Sequence, residues 1–183
     1  IYDVMDSTML TPQRIVDALK TVLPDGAGGL HEPEFIGNEW KYVKDCLDTG
    51  WVSSAGSYVS KFEAELSKFT GIKHAIATVN GSAALHAGLL YASVQPNDEV
   101  IIPTLTFVAT ANAVAYCGAV PHFADSDEET LGIDPDKLEG HLKKISKIRD
   151  GECFNAITGR RISALIIMHT FGHAGHLGAL KEI

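Results

Sequence analysis

From Lys73 onward the chain alternates short apolar runs with segments of helical periodicity, and this alternation limits the possible fold more than any other feature. Residues 75–79 read as a strand and 82–91 as a helix. Residues 100–102 form a strand after the turn Pro96-Asn97-Asp98, and 107–116 an alanine-rich helix. Residues 120–124 follow as a strand, 136–145 as a helix opened by Asp134-Pro135, and 162–168 as an apolar, β-branched strand. A strand covered on both faces is apolar throughout, and strands separated by helices pair in parallel through crossovers. The expected fold class is therefore α/β, with a mostly parallel sheet flanked by helices. Residues 146–159 are polar and irregular and read as a long surface excursion.

Before Lys73 the pattern is helical only. Ile15, Val16, Leu19, Val22 and Leu23 follow Thr11-Pro12 at helical spacing, and Pro24-Asp25-Gly26 with Gly28-Gly29 ends that helix and continues as a flexible link. Trp40, Val43 and Leu47 mark a second helix over 38–47, stopped at Asp48-Thr49-Gly50. After the loop 51–56, Val59, Phe62, Leu66 and Phe69 mark a third over 58–69. The expected division is an N-terminal helical segment over 1–72 and the first part of an α/β domain over 73–183. The chain opens on Ile1 and stops at Ile183 inside a young helix with no stop signal, so an incomplete chain is expected.

Composition narrows the class. A net charge of −8 argues against a general nucleic-acid binder or a protein held on anionic lipid, because both need a basic surface. Lys143, Lys144, Lys147 and Arg149 read as a solvated helix face. Cys46, Cys117 and Cys153 are odd in number and form no CxxC pair, which fits a reducing cytoplasm. No apolar run reaches the roughly 18 residues of a membrane span.

In an open parallel sheet, ligands bind at the carboxyl ends of the strands. The first expected strand empties into Asn80-Gly81-Ser82-Ala83-Ala84-Leu85. Gly81 permits a tight turn, Ser82 offers a hydroxyl, and the N–H groups of Ser82, Ala83 and Ala84 would be free at the positive end of a helix. That arrangement holds an anion; it is equally what a plain serine cap after a turn looks like. Phe107, just past the second strand, either stacks on a planar ring in the same crevice or joins the core. His169, His173 and His176 cluster after the last strand, but glycines interrupt them and no further ligand stands nearby, so a polar turn lining a pocket is expected rather than a metal site. Asp125, Asp127, Glu128 and Glu129 lack the glycine and closing glutamate of a calcium loop and read as a solvated turn.

In order, the segments Gly50-Trp51-Val52-Ser53-Ser54, Asn80 to His86, Asn97 to Pro103, Thr106 to Asn112, Gly118 to Asp125 and His169 to His173 resemble the DegT/DnrJ/EryC1/StrS sugar aminotransferases. These have the pyridoxal-phosphate (PLP) transferase fold of type I. His31-Glu32-Pro33 and Gly37-Asn38-Glu39 look most like the LegC-type branch, associated with nonulosonic acid biosynthesis. The resemblance implies PLP as cofactor, its phosphate held by Gly81, Ser82 and Ala83 and its ring stacked by Phe107. It implies substrate contacts from Trp51, Ser53 and Ser54, with the turn from His169 to His173 bordering the cofactor. It further implies amino transfer, from glutamate, to a nucleotide-linked 4-keto-6-deoxy sugar by a cytoplasmic homodimer. The family's ring-nitrogen aspartate and Schiff-base lysine belong to later segments, and no lysine here matches the pattern, so no catalytic residue is assigned and the chain alone is expected to be inactive. The family has an acidic residue about where His176 stands. A PLP-dependent sugar dehydratase on the same fold and a non-catalytic binding or regulatory protein are the alternatives.

Overall fold

A computed structural model describes residues 11–23 and 33–183. The expected stop at Pro24-Asp25-Gly26, the Gly28-Gly29 link, and His31 and Glu32 lie outside the described residues. The chain divides into two compact units, Ile1–Thr70 and Gly71–Ile183.

The first unit contains α1 (Pro12–Val22), α2 (Glu39–Thr49) and α3 (Ser57–Thr70). Thr11 caps α1, its hydroxyl accepting from the Arg14 N–H at 3.3 Å, and proline follows at the first helical position. Gly50 closes α2 in the left-handed conformation (φ 74°), which turns the chain into the loop before α3. Rings of Tyr42 and Tyr58 meet at 5.1 Å across the α2–α3 pair, and the Tyr58 hydroxyl lies 3.1 Å from Asp45 Oδ2. No residue of these three helices is buried.

The second unit is a three-stranded parallel sheet in the order β2–β1–β5, formed by β1 (Glu99–Pro103), β2 (Val120–Ala124) and β5 (Ile162–Leu165). All five residues of the central strand are buried, which explains its unbroken apolar run after Glu99. Val100 and Ile102 face one side, packing with Leu89 of α4 (Gly81–Tyr91) and with Ala113 and Val114 of α5 (Val108–Tyr116). Ile101 faces the other side, with Leu138 of α6 (Pro135–Ile145) and Leu180 of α7 (Leu177–Glu182). Val100 and Ile102 have no exposed surface, a burial that stabilises by about 2 kcal/mol each. The small side chains of α5 let its backbone approach closely enough to bury Ala113 and Val114 completely. Before β2, Gly118 adopts a φ of 69°, and a Cβ there would sit 3.3 Å from Pro96 Cβ.

Three expectations fail locally. Residues 75–79 form no strand; Ile76 is 85% exposed and Val79 89% exposed. β propensity alone does not make a strand, because a strand is defined by its ladder. Residues 146–159 are not irregular throughout. They contain an antiparallel hairpin of β3 (Ser146–Arg149) and β4 (Glu152–Asn155), turned by Asp150 and Gly151, both with positive φ (52° and 82°). Such a two-residue turn matches the twist of the strands it joins, and Asp-Gly supplies its conformation. The strand expected over 162–168 is also shorter, ending at Leu165.

A polar network ties the hairpin to the start of the central strand. Glu99, 3% exposed, accepts from Asn155 Nδ2 at 2.9 Å and Thr158 Oγ1 at 2.6 Å, and pairs with His122 Nδ1 at 2.8 Å. Beside it, Asp98 is held by the Arg161 guanidinium at 2.6 Å and by the Gln95 N–H at 2.8 Å. Burial pushes both carboxyls up, but the donors around them outweigh it and hold both below the usual carboxylate range. A depressed folded value contributes stability that is fully present above the unfolded value and is lost as pH falls through the folded one. The denaturant midpoint of the second unit is therefore expected to hold steady down to about pH 4 and to fall below it. Glu99→Gln is expected to flatten that slope; an unchanged acid limb in the variant would contradict the assignment.

Candidate functional site

The first turn of α4, the start of α5 and the exit of β5 enclose a cleft of about 910 Å³, entirely within the second unit. Gly81 and Ser82 border one end, Phe107 and Thr110 another, and Ile167, Met168 and His169 a third. Leu85, Leu89 and residues 164–166 make the remaining wall largely apolar. The expected phosphate turn and stacking aromatic thus meet in one cavity, although 81 and 107 are distant in sequence.

The cap of α4 is Asn80 rather than Ser82. Its Oδ1 accepts from the Ala83 N–H at 2.9 Å, and its carbonyl accepts from the Ala84 N–H at 3.1 Å. The expectation of free N–H groups at Ala83 and Ala84 is therefore corrected. Asparagine is among the best capping residues and competes with any ligand for the third amide of the turn. What stays open are the N–H groups of Gly81 and Ser82 and the Ser82 hydroxyl, which have no hydrogen-bond partner among the described residues. Asn80, overlooked in sequence, carries its own signal: a capping residue immediately before an apolar helical run.

Phe107 precedes α5 as its N-terminal cap position without a side-chain cap bond, and its ring is 70% exposed. It is a wall of the cleft, not a core residue. Thr106 fixes the adjoining backbone, its Oγ1 lying 2.8 Å from both Thr110 Oγ1 and Met168 Sδ. His169 enters the same cleft; His173 and His176 do not line it. Among the described residues no group of three or more His, Cys, Asp or Glu could hold a metal ion. Asp127 serves a turn, its Oδ1 accepting from the N–H groups of Glu129 and Thr130, both at 2.8 Å. Trp51, Ser53 and Ser54 lie in the first unit, all exposed, with Ser53 Oγ accepting from the Ala55 N–H at 3.4 Å.

These groups fit a phosphorylated planar cofactor. Open amides and a hydroxyl at a helix N-terminus suit a phosphate, an exposed aromatic face suits a ring, and the apolar wall excludes water from both. A Cβ built on Gly81 would meet nothing within 4 Å, so the space above the turn is open to a ligand. No lysine of the described residues lines the cleft.

Comparison with known proteins agrees with this fold. GDP-perosamine synthase from Vibrio cholerae is 36% identical over 154 residues, covering 84% of this chain and 38% of that protein. The spore coat polysaccharide biosynthesis protein SpsC of Bacillus subtilis is 48% identical over 109 residues, 60% of this chain and 28% of that protein. The crystal structure of NtdA from Bacillus subtilis with bound cofactor PMP (pyridoxamine phosphate) superposes with a TM-score of 0.62 at 30% identity, covering 78% of this chain and 29% of that one. The chain thus spans little more than a third of the length of the GDP-perosamine synthases that it matches. The profile of the DegT/DnrJ/EryC1/StrS aminotransferase family matches residues 33–183. With the sheet, the cleft and this match in agreement, the chain belongs to the DegT/DnrJ/EryC1/StrS aminotransferase family.

Proposed function

We propose that the second unit is the cofactor-phosphate-binding part of a PLP-dependent sugar-nucleotide aminotransferase. The observation that carries this is the meeting of Gly81, Ser82 and Phe107 in one cleft of a family member. The N–H groups of Gly81 and Ser82 and the Ser82 hydroxyl donate to the phosphate, aided by the positive end of α4. Ala83 joins them when the phosphate displaces Asn80 Oδ1 from its N–H. Phe107 packs on the pyridine ring and fixes its plane. The bound cofactor supplies an electron sink for negative charge that develops during amino transfer. Ile167 and Met168 keep that region dry.

The finer reading follows the family. The amino group comes from glutamate and goes to a nucleotide-linked 4-keto-6-deoxy sugar, as in amino-sugar or LegC-type nonulosonic acid biosynthesis. Trp51, Ser53 and Ser54 contact the sugar nucleotide, and the working enzyme is a cytoplasmic homodimer. The described residues within 1–72 form a helical segment, and 73–183 belong to the PLP-binding domain. A relative named as an aminotransferase, the 3-oxo-glucose-6-phosphate:glutamate aminotransferase of Bacillus subtilis, favours amino transfer over the dehydratase alternative. With no lysine along the described cleft, this chain by itself is expected to bind the cofactor without covalent attachment and without turnover.

The test is a fluorescence titration of the chain with pyridoxamine phosphate and, separately, with pyridoxamine. The phosphate ester is expected to bind at least about tenfold more tightly. Equal affinities would remove the phosphate cradle from the proposal. After incubation with pyridoxal phosphate and borohydride, mass spectrometry is expected to find no single labelled site; stoichiometric labelling of one lysine would contradict non-covalent binding.

A further inference from the structure

We propose that His169 is a tautomer-fixed hydrogen-bond donor to an oxygen of the ligand bound in the cleft. This rests on the reading of the cleft as a cofactor site. The observation is a contact on the far side of the ring. The Gly175 N–H donates to His169 Nδ1 at 3.1 Å. A neutral imidazole that accepts at Nδ1 carries its proton on Nε2. Among the described residues Nε2 has no hydrogen-bond partner, and the side chain lines the cleft that Ser82 and Phe107 also line.

The backbone around His169 is built to hold this state. Phe171 adopts φ 51° and ψ 23°, and Gly172 a φ of 85°, so the chain reverses within three residues and returns Gly175 beneath the imidazole. Thr170 anchors the turn: it is 2% exposed, and its hydroxyl donates to the Leu131 carbonyl at 3.3 Å. A left-handed phenylalanine costs free energy, and it persists because neighbouring contacts over-determine the turn. The ring is thereby oriented from behind by a backbone amide, in the manner of histidines whose second nitrogen must perform a set task. A donor of fixed direction in an otherwise apolar wall is suited to one oxygen acceptor. The phenolic oxygen of a pyridine cofactor and a sugar hydroxyl or carbonyl oxygen share that chemistry.

Long-range proton–nitrogen NMR of the free chain reads the tautomer directly, with no ligand present. The expected result is that the neutral form of the ring carries its proton on Nε2; a proton on Nδ1 would overturn the proposal. Binding then identifies the oxygen. His169→Phe keeps a ring without the donor, and His169→Gln restores an N–H donor. His169→Phe is expected to weaken binding about tenfold and His169→Gln by less than about threefold. If the loss is seen with pyridoxamine phosphate and vanishes with its 3-deoxy analogue, the acceptor is the cofactor's phenolic oxygen. If it is seen only with a nucleoside diphosphate sugar added to the cofactor-loaded chain, the acceptor is on the sugar. No loss with either, while wild type binds pyridoxamine phosphate, overturns the role of His169 and leaves the cofactor site standing. Failure of wild type to bind pyridoxamine phosphate at all overturns both.

Discussion

Replacing Gly81 with aspartate is expected to strengthen the fold of the second unit while weakening its hold on pyridoxamine phosphate about 100-fold. The two effects have opposite signs because they share one electrostatic origin. Gly81 is the first residue of α4, where unpaired N–H groups and the helix dipole favour negative charge. A carboxylate placed there stabilises the helix by about 0.5 kcal/mol. Its backbone can take the change: Gly81 does not need positive φ, and a Cβ meets nothing within 4 Å. The same carboxylate then stands beside the phosphate of any ligand held by the Gly81 and Ser82 amides. At an effective dielectric of about 40, a unit charge about 5 Å from a dianion costs about 3 kcal/mol. Thermal unfolding and ligand titration of one variant check both signs. A variant that loses stability and affinity together would mean that residue 81 is structural, and a variant that binds normally would move the phosphate elsewhere.

Glu99→Ala is expected to destabilise the second unit by about 3 to 4 kcal/mol. The carboxylate is the common acceptor for Asn155, Thr158 and His122, and its removal leaves those donors without a partner in a region where Asn155 is only 4% exposed. Each stranded buried donor costs about 1 to 3 kcal/mol. Because Asn155 ends β4, the loss should be felt first by the hairpin. Hydrogen exchange in β3 and β4 should accelerate more than in β2, and denaturant unfolding gives the total. Loss below about 1 kcal/mol would show that water replaces the carboxylate and that the network is not a structural tie. Glu99→Gln, which keeps one acceptor oxygen, should fall between the two.

The parts of this structure that were legible in sequence are those set by local periodicity. The helices α2 to α6 and the strands β1 and β2 lie within about two residues of where apolar spacing and turn residues put them. Phe107 was legible as a cleft residue because strand ends in a parallel sheet face one crevice, and Gly81 and Ser82 line the same cleft although no strand precedes them. The misses share a physical cause, dependence on something outside the segment. Residues 75–79 have strand-forming side chains, but pairing is a property of two strands. The β3–β4 hairpin was hidden by its polar face, although Asp150-Gly151 is its turn signal in plain sight. Glu99 meets Asn155 and Thr158 across 56 and 59 residues, a closure that no local pattern encodes. At the site itself, taking Ser82 as the helix start concealed Asn80, and with it the fact that two of the three expected amides are already engaged. The Gly175-to-His169 contact depends on a left-handed Phe171, which sequence gives no reason to expect.

Amide-resolved NMR of the chain during titration with pyridoxamine phosphate tests the phosphate cradle most directly. The Gly81 and Ser82 N–H signals are expected to move most, and downfield, as they become donors to phosphate, with Ala83 following as Asn80 releases it. Pyridoxamine, lacking the phosphate, is expected to leave them nearly unmoved. Signals that shift equally with both ligands, or that move only away from the first turn of α4, would contradict a phosphate held at Gly81 and Ser82.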